Sequence, residues 1–139
     1  MKLLITTLSS LLISSALSLA QNTCYARLDG DTLRIGNSRI ERVFAWNGGA
    51  LRTLRLTDKA SGQTMKSRHD LPDFILAKEV PENARLEVIE VPEGRWSPAC
   101  LLSRVSYNIG KVQIRREYRL YDDVPAIACD TYIKGIWNR

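Results

Sequence analysis

Histidine is almost missing from this chain: among 139 residues only His69 carries an imidazole. A histidine-rich metal centre is excluded, and a Ser-His-Asp triad would have to be built on this one residue. His69 is followed directly by Asp70, and loop neighbours do not orient each other as a triad requires. A surface loop is the expected setting for both. The spacings G-x-S-x-G, H-E-x-x-H and C-x-x-C do not occur, nor does a glycine loop of the kind that cradles phosphate. Cysteine is sparse and odd in number, at Cys24, Cys100 and Cys129. At least one thiol therefore stays unbridged or pairs outside the chain, and the sequence leaves the disulfide state open. Past residue 20 there is no long hydrophobic run, no repeat of fixed period and no convincing helical period.

Paired carboxylates are the remaining common hydrolytic device. Asp70 stands near Asp73, and Asp122 beside Asp123. Asp122-Asp123 precedes Val124-Pro125 and reads as a turn. Asp73 is expected to open a short strand, where a carboxylate satisfies backbone N–H groups. No catalytic residue, no metal site and no cofactor is assigned on these grounds.

What is present begins with a leader. Lys2 is the only charge among the first 20 residues, and Leu3 to Ala20 is apolar or small. Ser18-Leu19-Ala20 places small residues where a signal peptidase needs them, before Gln21. The pattern predicts a secretory signal peptide over 1–20, a β-domain over 21–139 and a periplasmic or secreted protein. A retained membrane anchor is the competing reading; the Ser and Thr content and the small-residue exit disfavour it. Gln21-Asn22-Thr23 is also unlike the residues that precede a lipidated cysteine.

Loss of Lys2 lowers the formal charge from +5 to +4. The basic residues are scattered and alternate with apolar ones, whereas a nucleic-acid surface gathers them with aromatics on one face. Even Arg115-Arg116 with Arg119 encloses Glu117, and the group reads as a solvated strand face. No nucleic-acid partner is expected, and no stable membrane span once the leader is gone. With 45% hydrophobic and 25% charged residues, the composition is that of an ordinary folded domain.

The mature chain has a period of two, punctuated by turns. Strands are expected at Leu33-Arg34-Ile35, 39–46, 50–57, 63–66, 84–91, 99–107, 112–121 and 126–134, with a short apolar run at 73–78. Asn47-Gly48-Gly49 supplies positive-φ residues for a turn. The alternation slips at Val88-Ile89, which suggests a bulge. On the strand from Val112, residues Val112, Ile114, Tyr118 and Leu120 share one face. About nine short strands predict an all-β, antiparallel twisted sandwich.

Three tryptophans lie in loops or near an end: Trp46, Trp96 and Trp137. An indole can lie against the apolar face of a pyranose, so all three are candidates for carbohydrate contact or for docking a further domain. Core packing is the plainer reading of each.

Several segments combine into a resemblance. Asp31-Thr32-Leu33-Arg34-Ile35-Gly36-Asn37-Ser38-Arg39-Ile40-Glu41-Arg42, then Trp46-Asn47-Gly48-Gly49-Ala50-Leu51, then Leu56-Thr57-Asp58-Lys59-Ala60-Ser61-Gly62 resemble the start of bacterial α-galactosidase-like glycoside hydrolases of the melibiase group. Glu117-Tyr118-Arg119-Leu120-Tyr121, Pro125-Ala126-Ile127-Ala128-Cys129 and Lys134-Gly135 look like the same family's N-terminal domain. Order and spacing carry the resemblance, which covers nearly all of the mature chain. It implies a partial supersandwich like that of galactose mutarotase, normally followed by a catalytic (β/α)₈ barrel with an Asp nucleophile and an Asp acid/base. That barrel is missing, so no residue here inherits either role. The implied function is a non-catalytic domain, a fragment that supports the barrel and shapes its galactoside pocket, and that self-associates without it. Two alternatives stand beside it: a stand-alone periplasmic carbohydrate-binding module, and a structural or interaction domain without a ligand.

Overall fold

The computed structural model describes residues 23–136; the expected leader over 1–20 and Trp137 lie outside these described residues. Among the described residues nine strands form two antiparallel sheets. The first contains β1 (Tyr25–Asp29), β2 (Thr32–Gly36), β3 (Ile40–Ala45), β4 (Arg52–Asp58) and β5 (Thr64–Lys66). The second contains β6 (Glu82–Val91), β7 (Cys100–Ile109), β8 (Val112–Leu120) and β9 (Ile127–Gly135). Each is a plain meander, with every strand hydrogen-bonded to its neighbours in sequence. Short polar turns permit only that local order.

The two sheets share one core, so the fold is a β-sandwich. Leu33, Ile35 and Phe44 from the first sheet pack with Leu101, Val105, Tyr107, Ile109, Val112, Ile114, Tyr118 and Leu120 from the second. The Phe44 and Tyr118 rings meet with centroids 5.4 Å apart. The expected inward face of β8 is the one observed. Asn37, 1% exposed, joins the sheets through its side chain, donating to the carbonyls of Tyr121 and Val124 at the β8–β9 turn.

Four local expectations are revised. Tyr25–Asp29 is a strand that the sequence reading passed over, paired with β2 through the Asp29-Gly30-Asp31 turn. Residues 73–78 form no strand. Their apolar side chains Phe74, Leu76 and Ala77 pack against the core from an irregular segment instead. The irregularity in β6 falls between Glu82 and Arg85, at positive-φ Asn83, and not at Val88-Ile89. A further bulge lies on β4, where Phe44 pairs with Thr53 and Val43 with Arg55, leaving Leu54 as the extra residue. That shift sets Thr53, in place of Leu54, on the core-facing side.

The arginine-rich face of β8 is also not simply solvated. Glu117 is 5% exposed. Register places Arg104 and Asp130 on either side of it, and Arg104, Arg115 and Arg119 close over its carboxylate at 2.9, 3.3 and 3.1 Å. Cross-strand pairing lets long guanidinium stems cover a shorter acid, which alternation along one strand cannot reveal. Arg116, between them in sequence, faces inward.

Candidate functional site

An open depression lies where β3 ends. The chain leaves Trp46 and makes a single 3-10 turn at Asn47–Gly49, with φ of 44°, 62° and 92° at Asn47, Gly48 and Gly49. Two glycines make that sequence of left-handed conformations affordable. The turn is pinned on both sides. The Trp46 N–H donates to the Asp31 carbonyl at 2.8 Å. Gly49 fits so tightly that a Cβ there would lie 3.0 Å from the Ala84 Cβ and 3.1 Å from the Tyr107 Cβ.

The result is an open cavity of about 520 Å³, whose lining includes Asp31, Trp46, Asn47, Gly48, Arg52 and Asp70. Trp46 is half-buried, its ring packed against the core and forming part of the wall. Arg52 donates to Asp70 at 2.8 Å. One indole, one primary amide, two carboxylates and one guanidinium are suited to a polyhydroxylated ligand: the ring meets C–H groups, and the polar groups exchange hydrogen bonds with hydroxyls. Asp31 and Arg52 escaped the sequence reading. The only signal for them was proximity in sequence to two turns.

The remaining candidates are dispersed. Trp96 is 86% exposed in the β6–β7 loop, with the Arg95 guanidinium 4.9 Å from its ring. It lies near Cys100, at the opposite end of β7 from Tyr107, against which the Trp46 turn packs. Seven residues of extended strand separate those ends by roughly 20 Å. Trp46 and Trp96 therefore do not share one binding surface.

His69 is exposed in the β5–β6 connection, where Ser67 bonds its backbone. Asp70 and Asp73 are held by different arginines. Asp73 accepts from Arg42 at 2.8 Å and from the Thr53 N–H at 2.7 Å, a structural role of the kind expected for it, though in a loop. Asp122 and Asp123 sit in the β8–β9 turn; Asp122 accepts from Thr23, and Asp123 has φ of 52°. Among the described residues no group of three or more His, Cys, Asp or Glu is placed to hold a metal ion, and no helix is long and apolar enough to cross a membrane.

A second feature, among the described residues, is a face without a cover. Ile127, Cys129, Thr131 and Ile133 on β9 pair with Leu120, Tyr118, Arg116 and Ile114 of β8, so they continue the core-facing side of the sheet. Yet every β9 residue after Ile127 is exposed, Ile133 to 53%. Beside them Arg116 is 8% exposed, and its Nε and Nη1 are buried without an acceptor; Nη2 donates to the Cys129 sulfur at 3.3 Å. Comparison with protein-family models, with curated proteins and with solved structures gave no match.

Proposed function

We propose that this chain is the non-catalytic sandwich domain of an exported α-galactosidase-like glycoside hydrolase, of the galactose-mutarotase-like type, which supports a catalytic barrel. The observation that carries the reading is the uncovered inner side of β9. A surface that is core on β7 and β8 and bare on β9 fits a domain that completes its packing against another layer of protein. Buried guanidinium N–H groups without acceptors are costly, and an added layer would supply the acceptors. The unpaired backbone edge of β9 invites the same partner. The sequence resemblance and the leader over 1–20 supply the family and the periplasmic or secreted setting. Glycoside cleavage needs two placed carboxyl groups about 5 to 10 Å apart in one sugar pocket. Here Asp73 is tied to Arg42 and Thr53 outside the Trp46 depression, and of the two carboxylates that line the depression Asp70 is paired with Arg52; no turnover of an aryl α-galactoside is expected from this chain alone.

The test is self-association. Light scattering on the purified chain should show oligomers that Ile133→Glu reduces without lowering the melting temperature. A sharply melting wild-type monomer, or oligomers that Ile133→Glu leaves unchanged, would overturn the reading and favour a complete module.

A second reading, a stand-alone carbohydrate-binding module, is favoured by the Trp46 depression. It expects galactose or a galactoside to bind there. Titration calorimetry should then show Trp46→Ala weakening binding about two- to thirteenfold, equivalent to the roughly 0.5–1.5 kcal/mol typical of an aromatic contact, with the far-ultraviolet circular dichroism unchanged. If neither self-association nor sugar binding occurs, an interaction domain with another partner remains.

A further inference from the structure

Cys24 lies immediately before β1, and Cys100 opens β7, so the two belong to opposite sheets. They nevertheless line the same cavity, of about 400 Å³, together with Glu90, Val91, Ala99 and Asp122. The N–H of Leu101, the residue after Cys100, reaches the Cys24 thiol, and the two cysteines are electrostatic neighbours. Cys129 is placed elsewhere. On β9 it pairs with Tyr118, which pairs with Ser103 on β7. It thus stands two strands and three residues from Cys100, roughly 14 Å, beyond the span of a disulfide.

We propose that Cys24 and Cys100 form a disulfide that staples the leading edge of the first sheet to the second, leaving Cys129 as the odd thiol. A disulfide needs Cβ atoms about 4 Å apart. Cys24 can make that approach because it precedes the first ladder pair, Tyr25 with Gly36, and the segment before it is tied by Thr23 to Asp122. The oxidant is a small-molecule or protein disulfide. A thiolate of the pair attacks it to give a mixed disulfide, and the second thiolate displaces the remaining thiol. Two protein thiols lose two protons and two electrons, and the oxidant leaves as two thiols. Persistence of the bond in the cell rests on the export reading; its formation in solution does not.

The test uses the reduced full chain and its Cys129→Ser variant, incubated with glutathione disulfide under native conditions, alkylated, digested and mapped by mass spectrometry. A peptide linking Cys24 to Cys100 is expected in both, with a loss of two hydrogens from the intact variant. Closing a loop of about 75 residues should raise the melting temperature by on the order of 10 °C over the reduced form. Cys24→Ser should abolish both effects. A link through Cys129, or unlinked Cys24 and Cys100 in a sample whose Cys129 has been glutathionylated, would overturn the proposal. A link that forms in solution while protein taken from its native cells is reduced supports the pair and overturns export instead.

Discussion

Removing the Asn37 side chain should cost this protein more than any one of its exposed salt bridges contributes. The amide is saturated. Its Nδ2 donates to the carbonyls of Tyr121 and Val124 at 2.7 and 2.8 Å, and its Oδ1 accepts from the amides of Arg39 and Ile40 at 2.8 and 3.0 Å. One side chain thus shapes the β2–β3 turn and ties it to the β8–β9 turn of the other sheet. An intramolecular hydrogen bond contributes about 1 kcal/mol net, and a buried group left unpaired costs more. Four bonds, partly replaced by water in Asn37→Ala, give a loss of about 2–4 kcal/mol, or on the order of 10 °C in melting temperature for a domain of this size. Asn37→Asp keeps the acceptor but sets a carboxylate against two carbonyl oxygens. At neutral pH it should lose at least as much as alanine, and it should recover part in acid, where a protonated carboxyl regains one donor. Urea denaturation followed by circular dichroism reads both changes. A loss below about 0.5 kcal/mol in Asn37→Ala would refute the idea that this residue couples the sheets.

Gly49→Ala combines a φ of 92° with contacts of 3.0 and 3.1 Å to Ala84 and Tyr107, and should cost about 2–3 kcal/mol by thermal melting; an unchanged melt would mean the turn is not packed as described. Glu117→Gln leaves three guanidinium groups facing one another and should cost about 1–2 kcal/mol, discounted because the arginines are partly solvated, whereas Glu87→Gln at the exposed rim should change stability by under about 0.5 kcal/mol. In acid, Glu41 is informative. Burial pushes its carboxyl up, but the hydrogen bond from Tyr25 and the pairing with Arg55 and Arg34 outweigh it, so the net shift is downward. A depressed carboxyl stabilises the fold above the ordinary glutamate range, near pH 4.3, and that stability drains as pH falls below it; Glu41→Gln should flatten the acid limb of the stability curve. In base, burial raises the hydroxyls of Tyr25 and Tyr118, the former also through Glu41. Their contribution is intact below pH about 10 and lost as pH rises beyond it; ultraviolet tyrosine titration should show late-ionising groups that appear only with unfolding.

Alternation and turn residues sufficed to identify an antiparallel all-β chain, the inward set Val112, Ile114, Tyr118 and Leu120, and the turn at Asn47-Gly48-Gly49. These are local properties: a period of two assigns a side chain to a face, and a positive-φ turn brings back the neighbouring strand. Even the overlooked β1 carried its signal, Tyr25 and Arg27 alternating with Ala26 and Leu28 before a tight turn. Residues 73–78 misled because a short apolar run is as compatible with a packed loop as with a strand. Only the tertiary structure decided the rest. It turned Glu117 from a solvated acid into a covered one, because the arginines of two strands meet there. It gathered Asp31, Arg52 and Asp70 about Trp46, and set Trp96 at the other end. It placed Cys24 beside Cys100 and left Ile133 bare on a face that is core one strand away. Whether a face is covered depends on what lies across the sandwich, and pairing along the chain does not encode that apposition; it is settled only when the two sheets pack.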